Sequence, residues 1–128
     1  MYNYYVKETQ EFGRGLYALT DIPEQRILFS VELLVLSEKD TKTVNETDLQ
    51  YYTFVYNEKQ DCLVLGDGEL FNHSDDANVG YKLTQTPGTN RKMMTFYTIK
   101  PIKEHEQLFI NYNQDVAVNT ASYNKNLL

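Results

Sequence analysis

The stretch Gly66-Asp67-Gly68-Glu69-Leu70-Phe71-Asn72-His73-Ser74, with Asn78 four residues beyond it, holds the chemistry of this chain, and its flanks set the fold. Upstream lies the apolar run Cys62-Leu63-Val64-Leu65, which predicts a buried, inert thiol. Downstream, Val79, Tyr81 and Leu83 alternate on one face. Thr86-Pro87-Gly88-Thr89-Asn90 is a turn signal, and 93–99 (MMTFYTI) reads as the returning strand of a hairpin. Further out, 2–7 (YNYYVK) and 14–19 (RGLYAL) are short aromatic or apolar segments on either side of a Gly13-x-Gly15 break. Residues 27–36 (ILFSVELLVL) form a nearly continuous apolar run, expected of a strand with little solvent exposure. Leu108, Ile110 and Tyr112 alternate near the end. One short helix is expected over 48–56, where Thr47 and Gln50 have the spacing of a capping box. Many short strands with one small helix predict a mainly β fold.

With 128 residues the chain fits one domain with a modest core. It has eleven tyrosines and no tryptophan, so many hydroxyls must be satisfied inside the fold or line a polar-aromatic pocket. The net charge is −6, and no basic cluster is longer than Arg91-Lys92, which argues against direct nucleic-acid binding. A basic partner such as a lysine-rich peptide suits that balance. The single cysteine excludes an internal disulfide and a cysteine-built zinc site, and two histidines make no zinc cluster. No signal pattern opens the chain and no apolar run approaches the length of a membrane span. A soluble intracellular protein without membrane attachment is expected, nucleus or cytoplasm left open. The Asn45-Glu46-Thr47 and Asn72-His73-Ser74 triplets fit the glycosylation pattern, which carries little meaning without secretion.

Three segments, in this order, resemble the SET-domain family: Gly13-Arg14-Gly15-Leu16-Tyr17-Ala18 before an apolar strand; Gly66 to Ser74 with Asn78; and Glu106-Gln107-Leu108-Phe109-Ile110-Asn111-Tyr112, after Ile99-Lys100-Pro101-Ile102. The lengths are similar to small viral and bacterial members that lack cysteine-rich flanking domains. The resemblance implies a β-clip of small sheets. In it the C-terminal strand passes beside the Asn-His-Ser segment in a knot-like threading. It places the SET domain at 1–113, with 114–128 as a C-terminal flap or a partly disordered tail.

The implied activity is transfer of a methyl group from S-adenosylmethionine to a lysine side chain of a protein, a histone tail or another. Lysine, with a pKa of about 10.4, is neutral in only roughly one molecule in 2,500 at pH 7, a cost of about 4.6 kcal/mol. The site must therefore accept a neutral amine, and a narrow aromatic channel favours that form by desolvation. In-line attack on the methyl carbon is chiefly a matter of positioning. No metal or covalent nucleophile is demanded.

By resemblance, Tyr112 is the catalytic tyrosine, its hydroxyl orienting amine and methyl. Gly13, Arg14, Gly15 and Leu16 meet the methionine portion of the cofactor. Asn72 and His73 hold the adenine and amino-acid parts, with Tyr112 completing the site. Tyr52 lines the lysine channel, with Tyr51 and Phe54 sharing that role or simply packing. Ile110 is placed in the substrate channel with Tyr52, where several histone methyltransferases carry an aromatic residue that influences how many methyl groups fit. Ala77 replaces the usual proline before the second asparagine, and Asn113 the usual glycine after the tyrosine. The aromatic residue of the C-terminal flap has no clear match unless Tyr123 serves. The rival readings are a catalytically silent SET-like module that binds peptide or protein, and a tyrosine-rich β-sandwich binding domain.

Overall fold

Alternating and apolar segments become nine strands among the residues described by a computed structural model, which are 3–85, 88–89 and 91–112. In chain order they are β1 (Tyr4–Thr9), β2 (Gly13–Ala18), β3 (Ile27–Val35), β4 (Thr53–Val55), β5 (Asp61–Val64), β6 (Asn72–His73), β7 (Val79–Gln85), β8 (Lys92–Thr98) and β9 (Gln107–Ile110). One sheet has the order β1-β2-β9-β6, the other β4-β5-β3-β8-β7. β1 and β2 form the first hairpin, with Tyr4 opposite Ala18 and Thr9 opposite Gly13. β7 and β8 form the expected second hairpin, with Val79 opposite Thr98 and Gln85 opposite Lys92. Three residues of its turn, Thr86, Pro87 and Asn90, lie outside the described residues, as does all of 113–128, with Asn113 and Tyr123.

The decisive arrangement is around β9. It runs antiparallel to β2, with Leu16 opposite Leu108, and parallel to β6, with Asn72 opposite Phe109 and His73 opposite Ile110. The C-terminal strand thus lies between the first and second sequence motifs, as the β-clip reading requires. Asn78 fixes it there: its amide nitrogen donates to the Gln107 carbonyl at 2.9 Å and its amide oxygen accepts from the Phe109 N–H at 2.8 Å. A side-chain amide offers the same donor and acceptor as a peptide unit, so Asn78 pairs with β9 as one more residue of strand would.

The core lies between the two sheets' apolar faces. Phe71 and Phe96 have ring centroids 4.6 Å apart, and Phe29 packs on both. Leu16, Val64, Val79, Met94, Leu108 and Ile110 fill in around them. The tyrosine richness resolves in both ways: Tyr4 and Tyr81 are buried with satisfied hydroxyls, Tyr4 donating to Asp67 at 2.7 Å and Tyr81 to the Asn111 carbonyl at 3.1 Å, while Tyr51, Tyr52 and Tyr112 are exposed and line a pocket. Cys62 is buried and its thiol is pushed up to about 12, by burial first and by Asp61 and Glu69 next, so it is inert as expected.

Two expectations need correction. The helix expected over 48–56 is a 3₁₀ turn at Asp48–Tyr52 that passes directly into β4. Thr47 caps it, accepting from the Leu49 N–H at 3.2 Å. Gln50, however, donates to the Thr47 carbonyl at 3.1 Å instead of returning to the Thr47 N–H, so no capping box closes. Thr53, Phe54 and Val55 pair with Leu63, Cys62 and Asp61, and this strand pairing wins over helix propensity. The α-helix is instead α1 (Glu38–Val44), capped by Ser37, whose hydroxyl accepts from the Asp40 N–H at 3.0 Å. The second correction concerns β3. Only Leu33 is fully buried there, while Ile27 and Leu34 are about half exposed, at 50% and 47%. Strand alternation turns Leu34 to the face opposite Leu33, so a continuous apolar run does not mean two covered faces.

Candidate active site

Tyr112 stands two residues past the end of β9 and touches both halves of the site. Its backbone N–H donates to His73 Nδ1 at 3.0 Å, and its hydroxyl donates to the Phe71 carbonyl. The acceptor role of Nδ1 puts the neutral ring's proton on Nε2, which meets the Asp75 carboxylate at 2.9 Å. The Tyr112 and His73 ring centroids are 5.1 Å apart, and Phe54 approaches the Tyr112 ring edge-on at 6.4 Å. Tyr81 holds the preceding residue through the Asn111 carbonyl. Tyr112 is thereby placed by residues from β6, β7, β4 and the end of β9.

On one side of Tyr112 is a cavity of about 340 Å³ lined by Gln50, Tyr51, Tyr52, Thr53, Phe54, Glu69, Phe71 and Tyr112. Four of the seven liners besides Tyr112 are aromatic. Tyr51 and Tyr52 are exposed at its mouth because the 3₁₀ turn carries no buried residue. Burial pushes the Tyr112 phenol above its ordinary range, with the nearby Glu69 charge adding to it, so the hydroxyl keeps its proton at neutral pH. Glu69 is itself pushed up, to about 7, by burial, against the lowering effect of the Val64 N–H.

Next to His73 in sequence, Asn72 comes together with the glycine turn and Gln107. Asn72 Nδ2 donates to the Gln107 side-chain oxygen at 2.8 Å and to the Arg14 carbonyl at 3.2 Å. A Cβ at Gly15 would lie 2.6 Å from the Gln107 oxygen and 2.8 Å from Asn72 Nδ2, so only glycine lets this amide pair sit against β2. Gly13 has φ +66° and nothing within 4 Å of where a Cβ would be, which leaves its backbone open to a ligand. These are polar, mostly uncharged groups beside the exposed Arg14.

Of the residues singled out in the sequence, Gly13, Arg14, Gly15, Asn72, His73 and Tyr112 therefore meet in one neighbourhood, and Tyr52 lines the adjoining cavity. Leu16 and Ile110 are fully buried in the core. Leu16 can offer a ligand only its backbone, and Ile110 is not among the residues lining the cavity. Tyr51 and Phe54 both line it. Sequence reasoning missed Glu69, Gln107 and Phe71 as site residues. Glu69 and Phe71 lie inside the quoted second motif and Gln107 inside the third, so position within the motifs was the available signal.

Among the described residues no group of three histidine, cysteine, aspartate or glutamate side chains could hold a metal ion. No helix among them is long and apolar enough to cross a membrane.

Comparison with known proteins gives a consistent result. The SET domain family profile matches residues 13–113. Over 108 residues the chain is 32% identical to a histone-lysine N-methyltransferase of Schizosaccharomyces pombe described as specific for H3 lysine-37, covering 84% of this chain and 71% of that protein. A candidate histone methyltransferase structure from Plasmodium falciparum superposes with a TM-score of 0.68 at 21% identity, covering 90% of this chain and 96% of that one. A humanized Chaetomium thermophilum Polycomb Repressive Complex 2, bound to an inhibitor, also gives 0.68, at 23% identity over 90% of this chain and 15% of that chain. Motifs, strand order and these matches agree that the chain belongs to the SET domain family.

Proposed function

We propose that this protein transfers a methyl group from S-adenosylmethionine to a lysine side chain of a protein substrate. One observation carries the reading: Tyr112 lines an aromatic cavity and is also held by His73, which follows directly on Asn72 and its contacts with the Gly13–Gly15 turn. Similarity to a histone H3 methyltransferase makes a basic histone tail the first substrate to try, and a net charge of −6 suits such a partner.

The cluster fits the proposed cofactor chemically. The open backbone at Gly13, the amide of Asn72 and the exposed Arg14 suit an amino-acid portion, and His73 with Asn72 suits the remainder. The group, when bound, supplies an electrophilic methyl on a sulfonium. The rest falls to the chain's own residues. Tyr51, Tyr52, Phe54 and Phe71 surround the lysine stem with rings, and this desolvation favours the neutral amine over the ammonium. Because the Tyr112 hydroxyl gives its proton to the Phe71 carbonyl, its lone pairs are left to accept from the amine and orient it.

The test is incubation of the protein with methyl-labelled S-adenosylmethionine and recombinant histones, followed by mass spectrometry. Label on lysine is expected. Cofactor binding without label on any lysine-bearing protein would instead favour a silent peptide-binding module.

A further inference from the structure

An aromatic lysine channel that works by desolvation asks nothing of a carboxylate, yet one lines this cavity. Glu69 is the single carboxyl among the described residues that line it, and it shares the wall with Phe71 and Tyr112. Its placement is built in. It belongs to the 3₁₀ turn Gly66–Leu70, which packs so tightly that a Cβ at Gly68 would lie 2.5 Å from Val64 and 3.1 Å from Phe96. One carboxylate oxygen accepts the Val64 N–H at 3.2 Å, which leaves the other for the cavity.

Resting on the methyl-transfer reading above, we infer that Glu69 takes the proton from the substrate ammonium inside the cavity. An N–H bond of the ammonium breaks, an O–H bond forms on the Glu69 carboxylate, and the amine keeps the electron pair that then bonds the methyl carbon. The pair of the broken C–S bond goes to the cofactor sulfur. Glu69 returns its proton to solvent after each turnover, and the methylated amine leaves as an ammonium. Burial, rather than a neighbouring charge, raises this carboxyl to about 7, making its anion about 300-fold more basic than at an ordinary 4.5. The titratable groups on the elements packed around it are Cys62 and Asp61 of β5, Asp48, Tyr51 and Tyr52 of the 3₁₀ turn Asp48–Tyr52, Tyr112 beyond β9, Glu32 of β3, Lys92 and Tyr97 of β8, and Arg14 and Tyr17 of β2. Its own turn adds Asp67, which accepts from Tyr4.

The acceptor works only when ionised, so wild-type kcat should rise with pH through about 7. Glu69→Gln keeps the shape and can still accept the Val64 N–H. It should lower kcat at pH 7 by 10²-fold or more, the usual range for a lost general base, and abolish the limb near 7. Two readouts separate this from a structural effect. Glu69→Asp should recover part of the rate. A substrate with S-aminoethylcysteine in place of lysine, whose amine is less basic, should narrow the gap between Glu69→Gln and wild type. Calorimetry with S-adenosylmethionine controls for folding of each variant. A Glu69→Gln enzyme with wild-type kcat and pH profile would overturn the role of Glu69 while leaving methyl transfer intact. Failure of the wild type to methylate any lysine would overturn the functional reading first.

Discussion

Glycine at 15 and glycine at 68 are required for different reasons, and the difference predicts two distinct phenotypes. A Cβ at Gly15 would meet the ends of two side chains, Gln107 and Asn72, which can rotate away. Gly15→Ala should therefore fold, with little change in thermal midpoint, while S-adenosylmethionine affinity measured by calorimetry falls about tenfold because Asn72 is displaced, the loss of one net hydrogen bond. A Cβ at Gly68 would meet the Val64 side chain at 2.5 Å and the Phe96 ring at 3.1 and 3.2 Å, all inside the core. Gly68→Ala should cost about 1–3 kcal/mol of stability in denaturant unfolding, as overpacking does. If Gly15→Ala proved as destabilising as Gly68→Ala, the account of the amide pair would be wrong. At this scale the sequence was only partly legible. Asn72, His73 and Tyr112 stood out because motif spacing singles them out, whereas Glu69 reads as an ordinary loop acid. Nothing in one dimension shows that the tight turn at Gly68 buries its neighbour.

The elements that matter most for the site are β6 and β9, with Asn78 between them. Because β6 has only two residues, its parallel pairing with β9 supplies little by itself. Asn78 adds two hydrogen bonds to the β9 backbone, and Ser74 adds a third from its N–H to the Ile110 carbonyl at 3.0 Å. Asn78→Ala should leave the Gln107 carbonyl and Phe109 N–H without these partners. A loss of about 1–3 kcal/mol is expected, read as a lower thermal midpoint, with weaker methyl transfer because Tyr112 is carried on the end of that strand. An unchanged midpoint would contradict the clamp. Sequence pattern revealed β1, β2, β7, β8 and β9, since their apolar patterns are local, while β5 shows only as an apolar run around the buried Cys62. Pattern failed at Asp48–Val55, where the partner strand β5 decides between helix and strand, and it passed over α1, whose Ser37 cap follows directly on the apolar run.

Over the whole molecule, three segments separated by some fifty and then thirty residues come together because β9 is inserted between β2 and β6. That insertion is non-local and leaves no periodic trace, so family resemblance was needed to expect it. The assembly makes Tyr112 the hinge of the account. Replacing it with phenylalanine keeps the ring against His73 and Phe54 and removes one oxygen, the donor to the Phe71 carbonyl. A tyrosine that only packs would cost about one hydrogen bond of stability and leave turnover nearly intact. One that orients the amine should lose 10²-fold or more in kcat, about 2.7 kcal/mol in barrier, with cofactor affinity nearly unchanged. The direct measurement is kcat for methylation of a lysine substrate by wild type and Tyr112→Phe, with S-adenosylmethionine binding determined on the same samples. The predicted result is loss of turnover with binding retained. A folded, cofactor-binding Tyr112→Phe protein with near-normal turnover would contradict the proposed mechanism.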